Sequence, residues 1–358
     1  MKTIKKLVDQ LGFSRLLMMS FLLILLLAVI PLGINPGMIY ADCLVRVGMN
    51  GIFVLSAMVS ILCGAGLNFG LPIGIICGLL GGAIAQQYDF AGLGGFLGAC
   101  ALSVPFALVA GWLYAQLLNN VKPGSEMSVG NYMAFSIVSL MSLMWLILPF
   151  SNSKMLWPLS GAGLRNTLTL DGSYAGILDN FLKIDFKELG ILQNSKIWAD
   201  FSIPTGLLLA FGLCALVVWI FTKTKYGVMM RCCCGNPKYT ETLGIKTKSM
   251  RTVGIVLSTV LAAIGIQVYS QSYGFYQFYS APLMMAFPAL AAILIGGATP
   301  KKATVSNAII GVVLFQSLLT LATPVANALI NAGAISEEIR KVIQNSVIIY
   351  ALTKAKEK

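Results

Sequence analysis

The chain has 358 residues, 57% of them apolar and only 11% charged, and its mean hydropathy is +0.83. A soluble domain carries about a quarter charged residues, so these values exclude one. Continuous apolar blocks long enough to cross a bilayer also exclude a β-barrel, whose strands alternate in polarity. The net charge of +12 is read as Lys and Arg gathered in cytoplasmic loops, not as a nucleic-acid surface.

In chain order, apolar runs predict about ten transmembrane helices, at 16–34, 48–65, 68–86, 93–118, 128–150, 203–222, 250–270, 281–298, 304–322 and 339–353. The first run lacks a clear small-residue cleavage site and reads as a span, not a signal peptide. The third and last lie near the short limit for crossing roughly 30 Å of hydrocarbon. With the N-terminus inside, the inside segments carry 17 basic and 4 acidic residues, and the outside segments 8 and 9. That split follows the positive-inside rule. The expected fold is an all-α polytopic membrane protein, a single transmembrane domain over 1–358 with both termini cytoplasmic.

Two loops stand out. Residues 151–202 form a long external loop of mixed charge that carries Trp157, Tyr174 and Trp198. It reads either as a folded cap with aromatics at the headgroups or as a docking surface for an external protein. The second loop, 223–251, holds "RCCCGNPKYTETLGIKTKSMR". Asn236 is a good N-cap, Pro237 suits the first helical position, and Gly244 is a natural terminator. A short polar helix over 238–243 follows. So short a helix is marginal alone in water and needs a partner surface. "ICGLLGGAIAQ" (76–86) and "AAILIGGATPK" (291–301) echo one another in the third and eighth spans, which run in opposite directions. Two inverted five-helix halves would produce that, as would small-residue helix packing.

Several chemistries are missing. There is no His, which removes Ser-His-Asp and Cys-His nucleophiles and the commonest general base. No catalytic residue is expected. Cys232, Cys233 and Cys234 are adjacent, which does not fit the usual spacing of zinc ligands, so no metal site is expected. No charged residue lies deep inside the predicted spans, which argues against a proton-coupled carrier. "GGATPKKAT" (296–304) fails the phosphate-loop pattern, with Lys301 where its second Gly belongs. Uncharged polar residues remain as candidates for a solute path: Asn68, beside Phe69 in the helix-breaking "GLNFGLPIG", with Asn131, Ser139 and Gln267. Each serves equally well as an interhelical hydrogen bond.

With these stretches in hand, the chain resembles the permease subunits of ATP-binding-cassette importers of the branched-chain-amino-acid, ribose and nucleoside type. "GLNFGLPIG" (66–74) is similar to an early family segment, and "ALAAILIGGATPKKATVSNAIIGVVLF" (289–315) to a late one. The fullest likeness is 203–251, where Thr224, Tyr226, Gly227, Arg231, Gly235, Asn236, Pro237, Gly244 and Ile245 match position by position. Departures are Cys232 to Cys234, Tyr239 to Thr242, Phe69 to Pro72, and Lys301 and Lys302.

The resemblance implies a fold like that of type II importers, in the cytoplasmic membrane of a prokaryote. It makes 223–251 a cytoplasmic coupling loop that docks into a separate ATPase through Arg231, Gly235, Asn236, Pro237, Glu241 and Gly244. ATP and Mg belong to that ATPase; no cofactor is expected in this chain. Further expected partners are a second permease chain, alike or different, an external solute-binding protein and the lipid bilayer. The cargo is expected to be a neutral polar solute, a simple sugar or nucleoside, since "NYMAF" (131–135) resembles the nucleoside-type members. Branched-chain amino acids stay open. So does a different class, a stand-alone sodium-coupled carrier. A membrane enzyme would need converging carboxylates, and the acids are scattered through loops.

Overall fold

The computed structural model describes residues 13–66, 70–122, 125–157, 163–186, 200–300, 302–330 and 333–356. Its main helices are α1 (Phe13–Ala28), α2 (Pro36–Leu62), α3 (Leu71–Gln87), α4 (Gly92–Asn119), α5 (Glu126–Ile147), α6 (Thr205–Lys223), α7 (Lys225–Gly235), α8 (Pro237–Thr242), α9 (Thr247–Tyr273), α10 (Ala286–Ile295), α11 (Val305–Ile330) and α12 (Gly333–Lys356). Single turns of helix lie at Ile177–Asn180 and Ala281–Met284. The short strands β1 (Thr167–Thr169), β2 (Ile184–Asp185), β3 (Ser202–Ile203) and β4 (Phe275–Gln277) form two antiparallel pairs, β1 with β4 and β2 with β3.

Among the described residues, six helices are long and apolar enough to cross a membrane: α2, α4, α5, α6, α9 and α11. Shorter apolar helices occupy Met18–Ala28, Leu71–Gln87 and Ala281–Ile295. Three sequence expectations change. The second helix begins at Pro36, not at 48, because Asn35 accepts hydrogen bonds from the N–H groups of Gly37 and Met38 and Pro36 fixes the first helical φ. That start draws Asp42 and Arg46, both exposed, into the first turns of the helix, ahead of the apolar stretch expected at 48–65. The span expected at 281–298 is broken at Met285. Pro288 supplies the reason, since it has no N–H for the preceding turn and its ring crowds that turn's carbonyl. Finally, α12 contains Glu338, Arg340 and Lys341 and is not among the helices apolar enough to span.

The helices join two ends of a bundle. At one, the cap end, Gly92 donates its N–H to Ser173 O (3.0 Å), Leu164 to Trp145 O (3.0 Å) and Gly206 to Phe181 O (3.0 Å), while Asn35 Nδ2 reaches Asp200 Oδ2 (2.7 Å). At the other, the loop end, Asn119 Nδ2 donates to Thr252 Oγ1 (2.9 Å), Arg251 pairs with Glu126 (3.4 Å), and Cys234 Sγ donates to Ile61 O (3.3 Å).

Burial separates inner from outer helices. Of the most apolar stretch, 78% is buried in α2 and 67% in α9 and α11, against 28%, 22% and 33% in α4, α5 and α6. The last three therefore offer apolar side chains such as Leu113, Leu143 and Leu213 outward. At the core, α2 and α9 cross through a reciprocal serine pair: Ser56 Oγ donates to Ser258 O (2.8 Å) and Ser258 Oγ to Ser56 O (3.0 Å). The end of α10 meets α11 backbone to backbone. A Cβ on Gly296 would sit 1.9 Å from Asn307 O, so only glycine fits that approach.

Candidate functional site

The loop 223–251 is built from local signals. Thr224 stops α6 and caps α7, accepting from Gly227 N (3.5 Å). Asn236, in extended backbone, ends α7 and caps α8 by accepting from Tyr239 N (3.2 Å), with Pro237 at the first helical position. Gly244 takes φ +77° and closes the helix, its N–H donating to Glu241 O (3.0 Å). That left-handed conformation costs an L-residue roughly 1–2 kcal/mol. The helix therefore runs over Pro237–Thr242, one residue earlier than its caps predict. Thr240 is its buried anchor, with Oγ1 donating to Asn236 O (2.8 Å).

The other loop residues fall around this helix. Arg231 Nη2 donates to Thr222 O (2.9 Å), capping the last turn of α6. A Cβ on Gly235 would meet open space. Glu241 Oε1 accepts from Thr247 Oγ1 and so ties α8 to the start of α9. Two residues that sequence reasoning missed dominate the outer surface. Tyr239 and Leu243 are 62% and 59% exposed, four positions apart and hence on one face. An aromatic and a Leu at that spacing in an otherwise polar helix was the available signal. Cys233 is buried and Cys232 exposed, so the thiols of the run do not share one environment.

The residues expected to line a solute path are not gathered in one place. Asn68 and Phe69 lie outside the described residues. Asn131 is half-buried in a narrow crevice against Pro72 and Phe287, and Ser139 is exposed on α5. Gln267 is fully buried and every arm of its amide is engaged. Its Nε2 donates to Gly78 O (2.6 Å) and Ser103 Oγ (3.0 Å), and its Oε1 accepts from Tyr276 OH. The chain of bonds continues from Tyr276 to Tyr174 OH (2.7 Å). Burial, with Tyr174 alongside, raises the Tyr276 hydroxyl pKa well above 10, so it remains a donor. Tyr174, in the loop expected to be either a cap at the headgroups or a docking surface, sits in a buried row with Phe96, Tyr276, Phe278 and Trp145.

Comparisons with known proteins bear on this geometry. The sequence pattern of a family described as branched-chain amino acid transport system / permease component matches residues 16–352. The chain is similar to the nucleoside ABC transporter permease protein NupC of Lactococcus lactis subsp. cremoris (strain MG1363), 33% identical over 29% of this chain and 32% of that protein. It is similar to NupB of the same strain, 28% identical over 45% of this chain and 42% of that protein. The matched stretches thus span less than half the length of either relative. No solved structure matches.

Proposed function

The chain belongs to the family of branched-chain amino acid transport system permease components, and from that premise we propose that it is the membrane subunit of an ATP-driven importer for a nucleoside or simple sugar. Family membership makes it a transport subunit and not an enzyme. The observation that carries the ATP-driven reading is α8: a rigid, doubly capped helix whose apolar pair, Tyr239 and Leu243, faces outward. A merely solvated turn needs no such surface, whereas a helix seated in the cleft of an ATPase does. On this reading Arg231, Asn236, Pro237, Glu241 and Gly244 shape and hold the helix, and ATP and Mg bind the partner. A second permease chain, two ATPase domains and an external binding protein complete the assembly. The nucleoside choice rests on the relatives' names; the family description favours branched-chain amino acids as the second reading.

The same reading places the loop end in the cytoplasm, where Lys223, Lys225, Arg231, Lys238, Lys246, Lys248 and Arg251 gather. Alternation of helix ends between the cap and the loop then supports nine of the ten expected crossings, with α3, the broken 281–295 segment and α1 added to the six long helices. Packing supports inverted halves: α2 lies on α11 as α9 lies on α4, and α3 on α4 as α10 on α11. The serine pair between α2 and α9 is reciprocal, as a pseudo-two-fold axis requires.

Reconstitution in vesicles with the cognate ATPase and binding protein tests this. Uptake of labelled nucleoside should require ATP and compete with unlabelled nucleosides. Uptake driven by a sodium gradient without nucleotide would refute the proposal, and competition by leucine alone would move the cargo to the second reading.

A further inference from the structure

A cavity of about 420 Å³ opens at the loop end, between the last turn of α6, α7 and the start of α11. Lys223, Arg231 and Lys302 line it, with no Asp or Glu among its lining residues. Among the described residues none of the three is ion-paired. Lys302 is held in place by reciprocal backbone bonds with Thr299, 2.8 and 3.1 Å. The Lys223 ammonium lies 5.6 Å from the centre of the half-exposed Trp219 ring, an arrangement suited to the membrane boundary. We propose that this cavity holds the phosphate group of an anionic phospholipid.

The alternative source of the same chemistry is free phosphate, and the walls argue for lipid. Beside the hydroxyl residues Thr222, Thr304 and Ser306, the lining includes Leu62, Trp219 and Val305, apolar surface that offers nothing to a hydrated ion. From its mouth a stripe of half-exposed side chains runs along α6, through Ile220, Leu216, Leu213 and Leu209. Their spacing puts them on one outward face, where Leu216 and Ile220 each lie three residues from the cavity residues Trp219 and Lys223 and are therefore their neighbours on the helix surface; the stripe rises about 16 Å along α6. Basic pockets between helices at a membrane surface recognise anionic headgroups in this way. Lys302, where the family resemblance expects glycine, thereby gains a role that solute transport does not give it.

The full chain, purified in mild detergent, is titrated with dioleoylphosphatidylglycerol or dioleoylphosphatidylcholine, and retained lipid is counted by native mass spectrometry. Inorganic phosphate is titrated separately, with melting temperature as the readout. The phosphatidylglycerol should be retained and the phosphatidylcholine lost, with no shift from phosphate. The double variant Lys223→Gln/Lys302→Gln should weaken phosphatidylglycerol retention roughly 25-fold, about 5-fold per cation. Lys223→Arg/Lys302→Arg should restore it, and Lys154→Gln at the cap end should leave it unchanged. An unchanged melting temperature in phosphatidylcholine establishes that the Gln variant is folded. Equal phosphatidylglycerol retention by wild type and Gln variant, or stabilisation by phosphate alone, overturns the proposal. So does a Gln variant that keeps the lipid but no longer co-purifies with an ATPase, for then the cations serve a protein surface.

Discussion

The molecule carries polar segments at both ends of its apolar bundle, and the two handle their hydrogen-bonding groups in opposite ways. At the cap end, groups distant in sequence satisfy one another. β1 pairs with β4, Tyr174 with Tyr276, Ser173 with Gln86 (3.1 Å), Ser272 with Asp179 (2.7 Å), and Leu178 N with Gln271 Oε1 (3.1 Å). At the loop end, α8 satisfies its own termini within nine residues and leaves Tyr239 and Leu243 uncovered. The first region is an extension of the core. The second is a locally completed helix that presents an apolar pair on its surface. Damage to the cap end should therefore register as lost stability, and damage to α8 as lost coupling in a stable protein.

The largest effect is expected from Gln267→Leu. It removes three buried hydrogen bonds, although Tyr276 OH, Ser103 Oγ and Gly78 O keep Tyr174 OH, Ala99 O and Ser103 Oγ as partners, and unfolding in detergent should be easier by about 3 kcal/mol, roughly 1 per lost bond. Next comes Tyr239→Ala/Leu243→Ala. Loss of a hot-spot pair of about 2 kcal/mol should cut ATPase association and ATP-driven uptake about 30-fold while the melting temperature stays at the wild-type value. If this variant instead melts as early as Gln267→Leu, the contrast between the two ends is wrong. Gly244→Ala imposes the left-handed strain of roughly 1–2 kcal/mol on the end of α8 alone, and uptake should fall by about 5-fold and by no more than about 30-fold. The smallest change is at Asp179, whose pKa burial raises above its ordinary value against the opposing Ser272, Gln271 and Lys183. A carboxyl raised in the folded state penalises folding above that pKa, and the penalty fades as pH falls through it. Asp179→Asn should thus stabilise slightly at neutral pH, and acid titration of the melting temperature should erase the difference.

How much of this the sequence discloses depends on the range of the interaction. α8 is readable because Asn236, Pro237 and Gly244 act on their immediate neighbours. The same Asn-Pro pair at Asn35 and Pro36 starts α2, and a hydropathy window that favours uninterrupted apolar runs hides it behind Asp42 and Arg46. β1 and β4 could not be read, because three residues, even with strand-favouring Thr, Phe and Tyr among them, are too few to mark a strand and take their structure from a partner far along the chain. Gln267 illustrates the remaining gap. An amide amid apolar residues looks the same whether it lines a path or bolts helices together, and lipid and protein neighbours impose the same apolar composition. The outer helix α5 and the buried α2 are indistinguishable on that basis until packing is seen.

The serine pair also has a mechanical meaning. Along α2, Ser56 sits six residues from Leu62 and twenty from Pro36, about 9 Å and 30 Å at 1.5 Å per residue. A stiff rod hinged at that fulcrum has a short arm toward the loop and a long arm toward the cap, so a small push at one tip becomes a swing roughly three times wider at the other. A disulfide joining Ser56→Cys to Ser258→Cys should accordingly leave cargo delivery intact, whereas a cross-link clamping the long arm should stall it.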